Sequence, residues 1–120
     1  MTEMKVIIFG ATGFSGQAIL AEAIKQGHDV TVLVRDASKV QIKHNNLTIV
    51  EGNVLDSQTV ASVVQHQEAV IQCLGVGGKG DGKPTTFISE ATTVIVNEMQ
   101  KQQIKRLIAM SNVGAGNSVA

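Results

Sequence analysis

Short apolar runs and longer amphipathic stretches take turns along this chain. The runs Lys5–Phe9, Val30–Val34, Leu47–Val50, Ala69–Leu74 and Arg106–Met110 are all of strand length. The first, Val6-Ile7-Ile8-Phe9, is apolar without alternation, as a parallel strand covered on both faces requires. Between the first two runs, Gln17–Gln26 puts Gly16, Ile19, Leu20, Ala23 and Ile24 on one face, the spacing of an amphipathic helix. Gly27 stands where such a helix ends, at the C′ position. The turn Glu51–Asp56 leads to a second helix, capped by Asp56 or Ser57, with Val60, Val63 and Val64 on its inner side. Pro84 and Thr85 introduce a third, reaching about Gln102, that turns Ile88, Ala91, Ile95 and Met99 toward the sheet. Glu22, Glu90 and Glu98 read as outward-facing, and the polar stretch Ala37–Asn46 leads to the third strand.

Strands alternating with helices predict right-handed crossovers and a parallel sheet. The expected fold is α/β, a Rossmann-like doubly wound parallel sheet in the order 3-2-1-4-5, with its switch point between strands one and four. With 120 residues the chain makes one domain, 1–120, with residues 111–120 as a tail. About 65% of the unfolded surface of a chain this long is buried on folding, enough for a core but not for an added substrate domain.

The chemistry concentrates in Gly10-Ala11-Thr12-Gly13-Phe14-Ser15-Gly16, between the first strand and the first helix. Strand, glycine turn and helix is the setting in which such a motif carries meaning. Gly10 permits a tight turn, Gly13 admits a pyrophosphate close to the backbone, and Gly16 lets the helix pack closely. The helix N-terminus then presents unpaired N–H groups and a positive dipole end to the phosphates. A glycine turn without a ligand is the plainer alternative. Arg35 stands at the end of the second strand, where NAD sites usually carry a carboxylate for the ribose hydroxyls. An arginine there accommodates the 2′-phosphate of NADP, with Ser38 and Lys39 as helpers. NADP is therefore the expected cofactor and NAD the less favoured one, although the adjacent Asp36 offers a carboxylate to the ribose.

The spacing G-x-x-G-x-x-G resembles the extended and atypical short-chain dehydrogenase/reductases. It is most similar to the NAD(P)H-binding group that contains biliverdin-IXβ/flavin reductases and NmrA-like proteins. That resemblance covers essentially the whole chain and matches the family's N-terminal portion. Family members continue through further elements into a substrate-binding part, so the expectation is a fold truncated after strand five. The resemblance implies that Asn53 and Val54, in a Gly-Asn-Val version of the family's Gly-Asp-Val, lie beside the adenine. A helix-entry turn is the other reading of Asn53. It also implies that Cys73, Leu74 and Gly75 flank the cofactor, with the Cys73 side chain read as a small core residue rather than a reactive thiol. Ser111 falls at the family's active-site Ser/Thr position and would orient an acceptor; a turn serine is the alternative. The family's Tyr-x-x-x-Lys has no counterpart, since the chain has no tyrosine. What the resemblance implies is a reductase passing hydride from NADPH to a small flat acceptor such as a flavin, quinone or linear tetrapyrrole. The alternatives are an NmrA-like redox sensor that binds NAD(P) without turnover, and a half-domain without activity.

Composition narrows the partners. Ten basic and ten acidic residues balance, with no basic block, which gives nucleic acid and membrane surfaces no electrostatic purchase. No apolar run is long enough to span a membrane, and Met1–Lys5 lacks a signal peptide's regions. One cysteine forms no intrachain disulfide, so a cytoplasmic location is expected. His28, His44 and His66 have no metal-ligand spacing and read as solvated, so no metal site is expected. The glycine-rich segment holding Gly75, Gly77, Gly78, Gly80 and Gly82 reads as a flap over the cofactor or as a mobile connection. The expected partners are a small-molecule substrate or a regulatory protein. Leu107-Ile108 on an edge strand invites self-association.

Overall fold

The computed structural model describes residues 3–74 and 86–109. Five parallel strands form one sheet in the order β3-β2-β1-β4-β5: β1 (Lys5–Phe9), β2 (Asp29–Val34), β3 (Leu47–Glu51), β4 (Ala69–Gln72) and β5 (Leu107–Ala109). Three helices connect them: α1 (Phe14–Lys25), α2 (Ser57–Val64) and α3 (Thr86–Lys101). This is the Rossmann-like order the sequence predicts. β1 lies centrally, with Phe9 in register with Leu33 of β2 and with Gln72 of β4.

Alternation along each strand sorts the core into two layers, because successive side chains leave opposite faces of the sheet. Val6, Ile8, Val30, Val32 and Ala69 meet Leu20 and Ala23 of α1. Ile7, Phe9, Leu33 and Val70 meet Val60, Val63 and Val64 of α2, and Ala91, Ile95 and Met99 of α3. Phe9, Ile7 and Ile8 are fully buried, so the central strand is apolar on both sides, which explains its unalternated sequence.

Local chemistry sets the element ends. Gly27 adopts φ +89°, and the pair Gly27 N–H to Ile24 O (3.0 Å) and His28 N–H to Ala23 O (3.2 Å) closes α1 in a Schellman turn. Asp56 caps α2 by accepting from Gln58 N–H at 3.1 Å. β4 ends at Gln72, two residues earlier than its apolar run suggests. The Cys73 N–H still bonds Phe9 O (2.8 Å), but the buried Gln72 side chain, which donates to Thr92 Oγ1 (2.7 Å), accepts the Leu74 N–H (3.0 Å). α1 begins at Phe14, inside the glycine motif, rather than at Gln17.

Two sequence expectations need correction. Glu98 is not outward-facing: it is 5% exposed and pairs with Lys101 Nζ at 3.2 Å. α3 packs against α2 as well as the sheet, with Gln102 Nε2 donating to Ala61 O at 3.0 Å, so its covered arc is wider than its apolar stripe. The polar stretch 37–46 contains a 3-10 turn at Ala37–Lys39 and a buried Val40. His28 is half-buried rather than solvated, its Nδ1 accepting from Met4 N–H at 3.1 Å. β5 lies at the edge as expected, with Leu107 packed against the core and Ile108 45% exposed. The side chain of Ile88 lies outside the described residues, as do Pro84, Thr85 and the glycine-rich segment before them. No described helix is long and apolar enough to cross a membrane.

Candidate functional site

Because all five strands run the same way, their carboxyl ends share one edge of the sheet. At that edge lies a crevice of about 460 Å³, within the range of small-molecule sites. Phe9, Gly10 and Thr12 line it from the end of β1, and Leu33, Val34, Arg35, Asp36 and Lys39 from the end of β2 and its turn. Gly52 and Val54 enter after β3, and Leu74 after β4. The crevice sits where strand order reverses, between chains of connections leaving β1 in opposite directions, the place where open α/β sheets bind ligands.

The glycine turn is shaped by close backbone approaches. Gly10 has φ +89°, and a Cβ there would lie 2.8 Å from both Cys73 C and Leu74 N. A Cβ on Gly16 would collide with the Gly10 carbonyl oxygen and crowd Ala11 Cα. Gly16 therefore serves the turn itself: the first turn of α1 rests on the strand end. Gly13 differs. It is the N-cap of α1 with φ −75° and ψ 174°, a conformation any residue adopts. Its backbone conformation therefore does not by itself call for glycine. Gly13 cannot cap with a side chain, and no acidic residue occupies the first turn of α1. By contrast, α2 is capped by Asp56.

The opposite wall carries charge. Arg35 and Lys39 are exposed on the rim. Asp36 Oδ1 accepts from the Ser38 hydroxyl (2.6 Å) and the Ser38 N–H (3.0 Å). These contacts, the hydroxyl first, hold the Asp36 carboxyl below its ordinary range. The carboxylate that competes with Arg35 in the sequence is therefore engaged in capping its own 3-10 turn.

The remaining sequence candidates divide. Thr12, Val54 and Leu74 line the crevice, while Ala11 and Cys73 point into the core on the α1 side of the sheet. Cys73 is 2% exposed, and burial pushes its thiol up to about 11. Its contribution to the site is its backbone, which passes Gly10. Asn53 is exposed, and its Oδ1 accepts from Leu55 N–H at 2.9 Å, a turn contact at the entry to α2. Gly75 and Ser111 lie outside the described residues, as do the side chains of Phe14 and Ser15. Phe9, Leu33, Val34 and Gly52 line the crevice without having been singled out in the sequence. Their signal is positional, since each ends a strand or follows one. Among the described residues, no group of three or more His, Cys, Asp or Glu side chains is placed to hold a metal.

A bound dinucleotide fits this geometry. The glycines keep the strand-to-helix turn tight, α1 has no side-chain N-cap, and Arg35 and Lys39 line the rim. Known proteins point the same way. Protein YwnB of Bacillus subtilis is 32% identical over 112 residues, covering 93% of this chain and 49% of the relative. Phenylcoumaran benzylic ether reductase TP7 of Nicotiana tabacum is 30% identical over 86 residues, covering 64% of this chain and 28% of that protein. The crystal structure of the Bordetella bronchiseptica enzyme WbmH in complex with NAD+ superposes with a TM-score of 0.74 at 23% identity, over 88% of this chain and 38% of that one. The chain thus spans about half the length, or less, of these relatives. Residues 10–120 match the family model described as NAD(P)H-binding. The chain belongs to this NAD(P)H-binding family, and its fold is Rossmann-like.

Proposed function

We propose that this chain is the cofactor-holding part of an NADPH-dependent reductase acting on a small flat acceptor of the flavin, quinone or tetrapyrrole type. The observation that carries the cofactor choice is the rim of the crevice: Arg35 and Lys39 line it, while Asp36 is engaged with Ser38. A 2′-phosphate offers both cations an anionic partner, whereas a bare ribose offers only neutral hydroxyls. A reductase among the similar proteins supports the reaction class.

Each part of the crevice then has a task. The turn Gly10–Gly16 and the first N–H groups of α1 receive the pyrophosphate. Leu33 and Val54 supply apolar wall for the adenine. Leu74, after β4, borders the path toward the reactive end of the cofactor. NADPH, when bound, supplies the hydride. Holding acceptor and cofactor together lowers the barrier by proximity rather than by a dedicated proton donor. Ser111 is assigned the task of orienting the acceptor, on family resemblance.

Calorimetric titration of the protein with NADPH and with NADH tests the cofactor reading. Wild type should bind NADPH at micromolar affinity or tighter. Arg35→Ala should weaken NADPH by about tenfold or more, the worth of a hydrogen bond to a charged group, with NADH little changed. Acceptor-dependent NADPH oxidation that falls in Ser111→Ala tests the reaction. Tight binding without turnover would instead make the chain a redox-reporting binding module. No binding of either cofactor would make the glycine turn architecture alone.

A further inference from the structure

The 3-10 turn that carries Lys39 is three residues long: Ser38 and Lys39 are exposed, Ala37 is half-buried against the core, and the adjacent Val40 is buried. Its own backbone supplies two contacts, Lys39 N–H to Asp36 O (3.1 Å) and Val40 N–H to Ala37 O (3.1 Å). The first N–H groups of any helical turn have no partner within the turn. Here the Ser38 N–H is satisfied by Asp36. The Ala37 N–H is satisfied by a different strand: Glu51 Oε2, at the end of β3, accepts it at 2.8 Å. Register explains the reach, because Glu51 pairs with Val34, the last residue of β2, and Gly52 N–H bonds Val34 O at 2.9 Å.

Two acidic residues therefore stand beside a rim read as phosphate-binding. By charge alone each would repel a phosphate, so their presence there needs another reason. Asp36 caps the turn from within, and Glu51 fastens it to the sheet.

We propose that Glu51 is a positioning residue for cofactor selection. By holding the Ala37 N–H it fixes the turn 36–39, keeps the Asp36 carboxylate on Ser38, and leaves Arg35 and Lys39 to favour a phosphorylated over an unphosphorylated ribose. This rests on the NADP reading of the same crevice. Its sign separates it from simple electrostatics: removing a negative charge should strengthen phosphate binding, whereas loosening the turn should weaken it.

The test compares NADPH and NADH affinities of wild type, Glu51→Gln and Glu51→Ala by calorimetry, with thermal melts confirming that each is folded. Glutamine keeps an acceptor oxygen and loses the charge, so Glu51→Gln should hold the NADPH/NADH preference within about twofold. Glu51→Ala should lower that preference by about fivefold or more, through weaker NADPH binding, as expected for one exposed charge-assisted hydrogen bond. Amide exchange at Ala37 should quicken in the alanine variant. A wild type that prefers NADPH, with Glu51→Ala keeping or raising that preference, overturns the positioning role alone. A wild type without any NADPH preference overturns the NADP reading and this inference with it. Unchanged exchange at Ala37 also overturns the positioning role, whatever the affinities.

Discussion

The two walls of the crevice are made of different material. On the β1 side the shape comes from backbone meeting backbone, with Gly10 against Cys73 and Leu74, and Gly16 against Gly10. On the β2–β3 side it comes from side chains, where Asp36 and Glu51 hold a three-residue turn that displays Lys39 beside Arg35. Backbone contacts have no alternative rotamers, so the first wall has one arrangement. Side-chain contacts on an exposed turn are individually worth little and exchange readily. In the proposed binding mode the rigid wall would face what NAD and NADP have in common, the pyrophosphate, and the adjustable wall the ribose, where they differ. Under that proposal affinity and selectivity rest on separate structures within one cleft.

That division can be broken most severely at Gly16. Gly16→Ala should destabilise the fold by about 3 kcal/mol or more, because the Gly10 carbonyl has nowhere to move beneath α1. Chemical denaturation measures it, and a wild-type midpoint would mean that the glycine turn opens easily. Whatever folded protein remains should lose both cofactors alike, unlike Arg35→Ala and Glu51→Ala, which should act on their ratio.

Cys73 sharpens the comparison from beneath the rigid wall. Burial raises its thiol from 9.0 to about 11, so between those values the folded protein holds a proton that the unfolded chain has lost. Stability should therefore fall as pH rises from about 9 to about 11, and Cys73→Ala should remove that part of the fall. Iodoacetamide at pH 8 should label the thiol only as fast as the protein opens. Rapid labelling of the native protein would show that the wall beside Gly10 is loose.

The smallest effect belongs to a glycine outside the cleft. Gly27 has a positive φ but open space around it. Gly27→Ala should cost about 1–2 kcal/mol from backbone conformation alone and leave both cofactor affinities intact. A change in binding would mean that α1 transmits strain to its N-terminus, which would blur the distinction between the walls.

Much of the first wall can be read in the chain itself. Gly10, Gly13 and Gly16 fall between an apolar run and an amphipathic one, and a turn so local needs no partner from elsewhere. The same locality makes Gly27 and Asp56 readable as a helix stop and a helix cap. The second wall is less readable. Arg35 stands out by its place at a strand end, but whether Asp36 competes with it depends on a hydrogen-bonded turn hidden in a polar stretch. Asn53 offered two readings, and the contact seen is the turn to Leu55.

The sequence by itself determined the alternation of strands and helices, the parallel order built from it, and the glycine turn at the switch point. These follow from periodicity and from steric rules that act over a few residues. Only the tertiary structure decided that Glu51 reaches Ala37 across two strands, that Gln102 reaches Ala61 of α2, and that Cys73 turns into the core while its backbone borders the crevice. Each of these joins residues brought together by sheet register or helix packing. Periodicity tells which face a residue takes, and it is silent on which distant group will stand opposite.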